Sequence, residues 1–135
     1  MKKALTVLLL ATLPPGLAAA GLDANGLSQG WAFGQQDGAA LYAAICAGCH
    51  MPDGRGATGA GAYPALAGNA RLASAAYPVV TVLRGRKGMP PLGYALGDEQ
   101  VAAVVNFVRT NLGNRYTDAV SADDVKPLRG WENRR

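Results

Sequence analysis

Cys46-Ala47-Gly48-Cys49-His50 is the stretch on which the reading of the whole chain turns. Two cysteines three residues apart fall on one face of a helix, so both sulfurs can reach one edge of a flat macrocycle and add to its two vinyl groups. The histidine directly after the second cysteine is then held beneath the centre of that ring, where an imidazole nitrogen can bind iron. This order of residues is the attachment pattern of a c-type haem, and His50 is the single histidine in the sequence. Two other chemistries use the same cysteine spacing. A redox-active dithiol wants a βαβ context with Trp or Pro beside the cysteines, whereas the flanks here are rich in Ala and Gly. A zinc site wants four protein ligands, or three and a water, and the chain offers no second cluster to complete one.

Working outward, a helix is expected from about Asp37 into the motif, because Gly38, Leu41, Tyr42, Ile45, Cys46 and Cys49 recur at three- and four-residue spacing. After His50 the run from Gly54 to Gly61 reads as a loop, followed by Tyr63-Pro64-Ala65-Leu66-Ala67-Gly68-Asn69. Residues 77–83 are ambiguous, since Val79, Val80, Thr81 and Val82 form a β-branched run. A helix is the better reading: Pro78 suits a first helical turn, Gly85 suits the position just past an end, and a lone strand would lack a partner. A further helix follows Gly97-Asp98-Glu99-Gln100, with Val101, Val104, Val105, Val108 and Leu112 on one face and Gly113 as its stop.

Met1-Lys2-Lys3, an apolar run from Ala4 to Leu13, Pro14-Pro15 and Ala18-Ala19-Ala20 follow the order of a secretory signal peptide, predicting cleavage after Ala20. The run is shorter than the roughly 20 residues that cross a bilayer, so no stable span is expected after cleavage. Export to an oxidising compartment, the periplasm, fits covalent haem attachment. The sequence has 13 basic residues, two of them in the leader, against 9 acidic ones. The mature charge is therefore close to balanced, about neutral with two haem propionates, and nucleic-acid binding is not implied. With 18 glycines and 7% aromatics the chain has little apolar bulk of its own. A haem-free form is expected to fold poorly. Residues 21–36, containing Trp31 and Phe33, read as an N-terminal extension whose aromatics either pack on the domain or touch a partner.

The Cys46 to His50 motif, Gly38 and Tyr42 before it, Tyr63-Pro64-Ala65-Leu66 after it, Gly88-Met89-Pro90, and the Val104 and Phe107 pair together resemble the class I cytochromes c. The likeness is to the small bacterial form found as free carriers and as dehydrogenase subunits, and it covers roughly residues 35–113. It implies an all-α fold of three to four helices wrapped around one covalently bound haem, with the cytochrome domain at 37–113. It also implies that the first and last helices cross closely, bringing Gly38 and Tyr42 against Val104 and Phe107. The family's distal ligand is a methionine. Of the three methionines, Met1 lies in the leader and Met51 adjoins His50, which leaves Met89, set in a stiff loop before Pro90-Pro91. By resemblance, the Pro64 carbonyl accepts the second ring N–H of His50. Leu92, where an aromatic is frequent, and Gly97, in place of a Ser or Thr cap, depart from the family pattern.

Ligation by His50 and Met89 would fill both axial positions of the iron and suit single-electron transfer. The expected protein is a periplasmic mono-haem carrier, not an enzyme, with a dehydrogenase as donor and an oxidase or another cytochrome as acceptor. The competing class, a peroxidase-like enzyme or gas sensor, needs distal machinery for which no second histidine exists. Arg84, Arg86 and Lys87 precede Met89. They either neutralise propionates, with Arg84 a candidate contact, or steer an acidic partner. Residues 114–135 read as a tail in which Ser121-Ala122-Asp123-Asp124 caps a short turn that Pro127 interrupts. Its default is a solvated tail; a segment docking on a dehydrogenase is the alternative.

Overall fold

The computed structural model describes residues 32–59 and 61–129. The signal-peptide reading of residues 1–20, Trp31 and the terminal Trp131 and Arg134-Arg135 lie outside them. Among the described residues there are four helices, the helical architecture that the haem motif and the helical periodicities require. The first, α1, opens with Asp37, whose carboxylate accepts from the Ala40 N–H at 2.9 Å, and is α-helical over Gly38–Leu41. It loosens to a π turn over Tyr42–Cys46, where the Ala47 N–H reaches back to the Tyr42 carbonyl, and tightens again over Ala47–His50. The haem motif thus spans the seam between two helical registers, a device common at functional sites. Nothing in the spacing of Leu41, Tyr42 and Ile45 distinguishes the two registers.

A short antiparallel hairpin follows, β1 (Ala57–Thr58) with β2 (Ala62–Tyr63), Ala57 opposite Tyr63. Two two-residue strands change nothing in the helical class of the fold. After a 3₁₀ turn at Ala70–Ala73, α2 runs over Ala76–Arg84 with Pro78 in its first turn and Gly85 at φ 69° past its end. Tertiary burial of Pro78, Val79 and Leu83 overrides the β-branched propensity of the run.

The helix α3, Asp98–Thr110, buries Val101, Val104, Val105 and Val108. It stops two residues before Leu112, which occupies a left-handed position at φ 55° and packs beneath Gly54 instead of extending the helical face. At its start Gly97 offers no side-chain cap, and Gln100 supplies one by accepting from the Gly97 N–H at 2.9 Å. The same amide donates to the carbonyls of Phe33 and Gln35, 2.7 Å each, and Phe33 packs against the core. A Cβ on Gly38 would sit 2.9 Å from Phe107 Cβ and closer still to the Ala103 carbonyl oxygen. The missing side chain lets α1 and α3 cross, and Tyr42 stacks at a tilt on Phe107 with ring centres 5.4 Å apart.

The last helix, α4, covers Ala122–Arg129 and corrects the reading of a solvated tail. Ser121 and Asp124 exchange capping hydrogen bonds, the Ser121 N–H donating to Asp124 at 2.8 Å. Pro127 does not interrupt the helix. Its missing N–H removes one bond to Asp123, while burial of Val125 and Val120 in the common core, and two arginines, hold the helix against α2 and α3. Arg84 donates to the Leu128 carbonyl at 2.8 Å, and Arg129 reaches Asp98 at 2.8 Å and the Leu96 carbonyl at 2.9 Å.

Candidate functional site

Cys46 and Cys49 are both free cysteines, the first half-buried and the second exposed. Burial, helped by the neighbouring Cys49, pushes the Cys46 thiol up to about 11. Burial therefore favours the neutral form of this thiol. His50 closes α1, and its Nδ1 lies 2.9 Å from the Pro64 carbonyl oxygen. A carbonyl can only accept, so Nδ1 carries the proton and Nε2 is the nitrogen with a free lone pair. The turn after the motif is fixed as well: the Tyr42 hydroxyl donates to the Met51 carbonyl at 2.7 Å, and the Gly56 N–H donates to the His50 carbonyl at 2.9 Å. The Tyr42 phenol is held above its ordinary value by burial first, then by Cys46 and Asp53, so it remains a donor.

Met89 is half-buried and sits in a tight turn that pairs it with Arg86, each N–H donating to the other's carbonyl at 3.0 Å. Lys87 takes φ 54° at the tip. Gly85 makes this return possible, since a Cβ there would lie 2.6 Å from Pro91 N and nearer still to the Met89 carbonyl. Arg84, the candidate propionate contact, gives Nη2 to Leu128 and ties α2 to α4. Arg86 instead lies across Tyr77, donating to its hydroxyl at 2.9 Å with the guanidinium 5.8 Å from the ring centre. Burial raises the Tyr77 phenol, but hydrogen bonds and charge from Arg71 and Arg86 outweigh it and bring the phenol below its ordinary value. Tyr77, Val80, Thr81, Arg84 and Arg86 line an open groove of about 510 Å³ along α2, whose lining includes neither cysteine, nor His50, nor Met89.

Among the described residues no three or more His, Cys, Asp or Glu side chains converge on a point where they could hold a metal ion. Two free thiols on one helix, an oriented imidazole and a loop thioether fit a macrocycle that brings its own four nitrogen ligands. Sequence reasoning missed the residues that tie the surrounding segments to α3, chiefly Arg109 and Asn114. Their partners are mostly backbone carbonyls from distant segments, which leave no pattern in the sequence.

A helical domain built on this motif is a small c-type cytochrome. The family model for cytochrome c oxidase, cbb3-type, subunit III matches residues 34–108. A cytochrome c-552 of Thermus thermophilus is 36% identical over 120 residues, covering 74% of this chain and 79% of that protein. The fructose dehydrogenase cytochrome subunit of Gluconobacter japonicus is 39% identical over 108 residues, and the gluconate 2-dehydrogenase cytochrome c subunit of Pantoea cypripedii 40% over 106. The match takes in 69% and 70% of this chain but only 22% and 24% of those two subunits. The chain belongs to the family of the cbb3-type oxidase subunit III, whose c-type cytochrome domain carries covalent haem c and transfers electrons. No helix among the described residues is long and apolar enough to cross a membrane.

Proposed function

We propose that this chain is a periplasmic mono-haem electron carrier whose haem is attached through Cys46 and Cys49 and whose iron is ligated by His50 and Met89. The observation that carries the reading is the hydrogen bond between His50 Nδ1 and the Pro64 carbonyl. It orients the ring, leaves Nε2 for a metal and raises the basicity of the ligand. A bound haem c supplies a one-electron iron couple. The chain's part is to hold the imidazole and the thioether so that neither has to move when the charge changes. The Arg86–Met89 pairing supports this for the thioether by fixing the backbone on which it hangs. The leader at residues 1–20 supports export.

With Arg84 given to Leu128, the exposed charge beside the Met89 turn is that of Arg86 and Lys87. It faces redox proteins, with a dehydrogenase as donor and an oxidase or other cytochrome as acceptor. Likeness to dehydrogenase cytochrome subunits supports the first of these. The absorption spectrum of the ferric protein tests the ligand set. A low-spin spectrum with the weak long-wavelength band of a methionine–iron bond is expected, and a high-spin spectrum with ready carbon monoxide binding would favour a vacant sixth site.

A further inference from the structure

We infer that Asn114 is a positioning residue for the haem ligand His50, acting through the loop that presents the Pro64 carbonyl. Asn114 lies four residues beyond the end of α3 and is only 5% exposed. Its amide donates to the Leu66 and Val108 carbonyls, 2.8 Å each, and accepts from the Asn69 N–H at 3.0 Å. Both donors face carbonyls and the oxygen faces an N–H, so neither a flipped amide nor a carboxylate satisfies the same partners. One side chain thus clamps residues 66–69 to the end of α3.

The loop is held at further points just after Pro64, including the Asn69 amide on the Ala65 carbonyl at 2.8 Å and the Tyr116 hydroxyl on the Asn69 carbonyl at 3.4 Å. The Leu66 and Ala67 N–H groups donate to the Gly54 carbonyl at 2.7 and 2.9 Å, and the Gly68 N–H donates to Leu112 at 3.2 Å. Gly56, at φ 70°, lies so close that a Cβ would be 2.8 Å from the Pro64 carbonyl carbon. The acceptor for His50 Nδ1 is therefore set by a chain of fixed contacts running back to α3, of which Asn114 supplies, among the described residues, the only side-chain amide from outside the loop. Loosening it lets the Pro64 carbonyl drift from the imidazole, making His50 a weaker donor to ferric iron and raising the reduction potential.

The inference rests on His50 as the iron ligand, and the test separates the two. In haem-loaded Asn114→Leu, close to wild type in shape and uncharged but unable to donate or accept, the His50 ring N–H is expected to exchange with solvent about fivefold faster, the factor expected from losing one net hydrogen bond. The potential is expected to shift upward while the methionine–iron band is retained. Reduced stability with unchanged ring exchange and unchanged potential would overturn the inference, leaving Asn114 a role in the fold alone. If the variant fails to load haem, wild-type hydrogen exchange decides. The His50 ring N–H and the Asn114 amide protons are expected to exchange through one common opening, and exchange of the ring while Asn114 stays protected would contradict it. A wild-type His50 ring without an iron-shifted resonance would overturn the ligand assignment and this inference together. An iron-shifted ring indifferent to Asn114 would overturn only the inference.

Discussion

Arg109 is fully buried and always charged, so the fold must supply partners for its donors. Nε donates to the Leu72 carbonyl at 2.9 Å, Nη2 to Ala73 at 3.3 Å and to the Asp118 carboxylate at 2.6 Å, and Nη1 to the Asp118 carbonyl. The guanidinium also lies 5.7 Å from the Tyr116 ring centre. It joins α3 to the 3₁₀ turn and to the segment leading to α4. The hydrogen bond from Arg109 is the main reason the Asp118 carboxyl lies below its ordinary value. A depressed carboxyl stabilises the fold wherever it is ionised: fully above its unfolded value near pH 4, and progressively less as pH falls through the folded value. Asp118 is 68% exposed, so solvent screens the effect. The stability gap between wild type and Asp118→Asn should stay constant above about pH 5 and close as pH drops below about 4; urea titrations at stepped pH check this. At Met89, substitution by alanine should leave the haem attached, because the thioethers depend on the cysteines. It should open the sixth site to carbon monoxide and lower the potential, since the thioether favours the ferrous state. An unchanged potential and spectrum would remove Met89 as ligand.

Among the elements, the crossing of α1 on α3 is the tightest contact and depends on a single absent side chain. Gly38→Ala places a methyl against Phe107 and the Ala103 carbonyl, both on a packed helix. The overpacking should cost about 2 kcal/mol, more than the ~1 kcal/mol gained at most from helix propensity, and should appear as a lower urea midpoint for the holoprotein. The crossing was legible beforehand because Gly38, Tyr42 and Phe107 belong to a pattern of resemblance, and α2 was legible because Pro78 and Gly85 bracket it. The π turn was not, because a change from i+4 to i+5 bonding alters no residue-type preference. Nor was α4. A proline inside eight residues argues against a helix on local grounds, and the arginines that override it, Arg84 and Arg129, find their partners only after folding. The same distinction divides the site. Cys46, Cys49, His50, Pro64 and Met89 were named from motif and resemblance, whereas Asn114 became visible only when its carbonyl partners 48 and 6 residues away came together.

At the scale of the molecule, the described helices bring a haem motif, a methionine turn and two exposed cations, Arg86 and Lys87, together in a chain of formal net charge +4. Brief redox encounters use local charge mainly to raise the association rate, and the proposed carrier role predicts that this pair does so. Arg86→Glu with Lys87→Glu should slow second-order reduction by an acidic donor at low salt, and the difference should shrink as ionic strength rises and the Debye length falls to about 10 Å or less. A rate insensitive to both charge reversal and salt in stopped-flow would rule out steering by these residues. Iron ligation by His50 and Met89, on which the electron-carrier reading depends, is best checked by the proton NMR spectrum of the ferrous protein with methyl-labelled methionine. One methionine methyl should be displaced far upfield by the haem ring current and be assigned to Met89, with the Met51 methyl free of that displacement. No displaced methyl, or a displaced methyl that belongs to Met51, would contradict the ligand set.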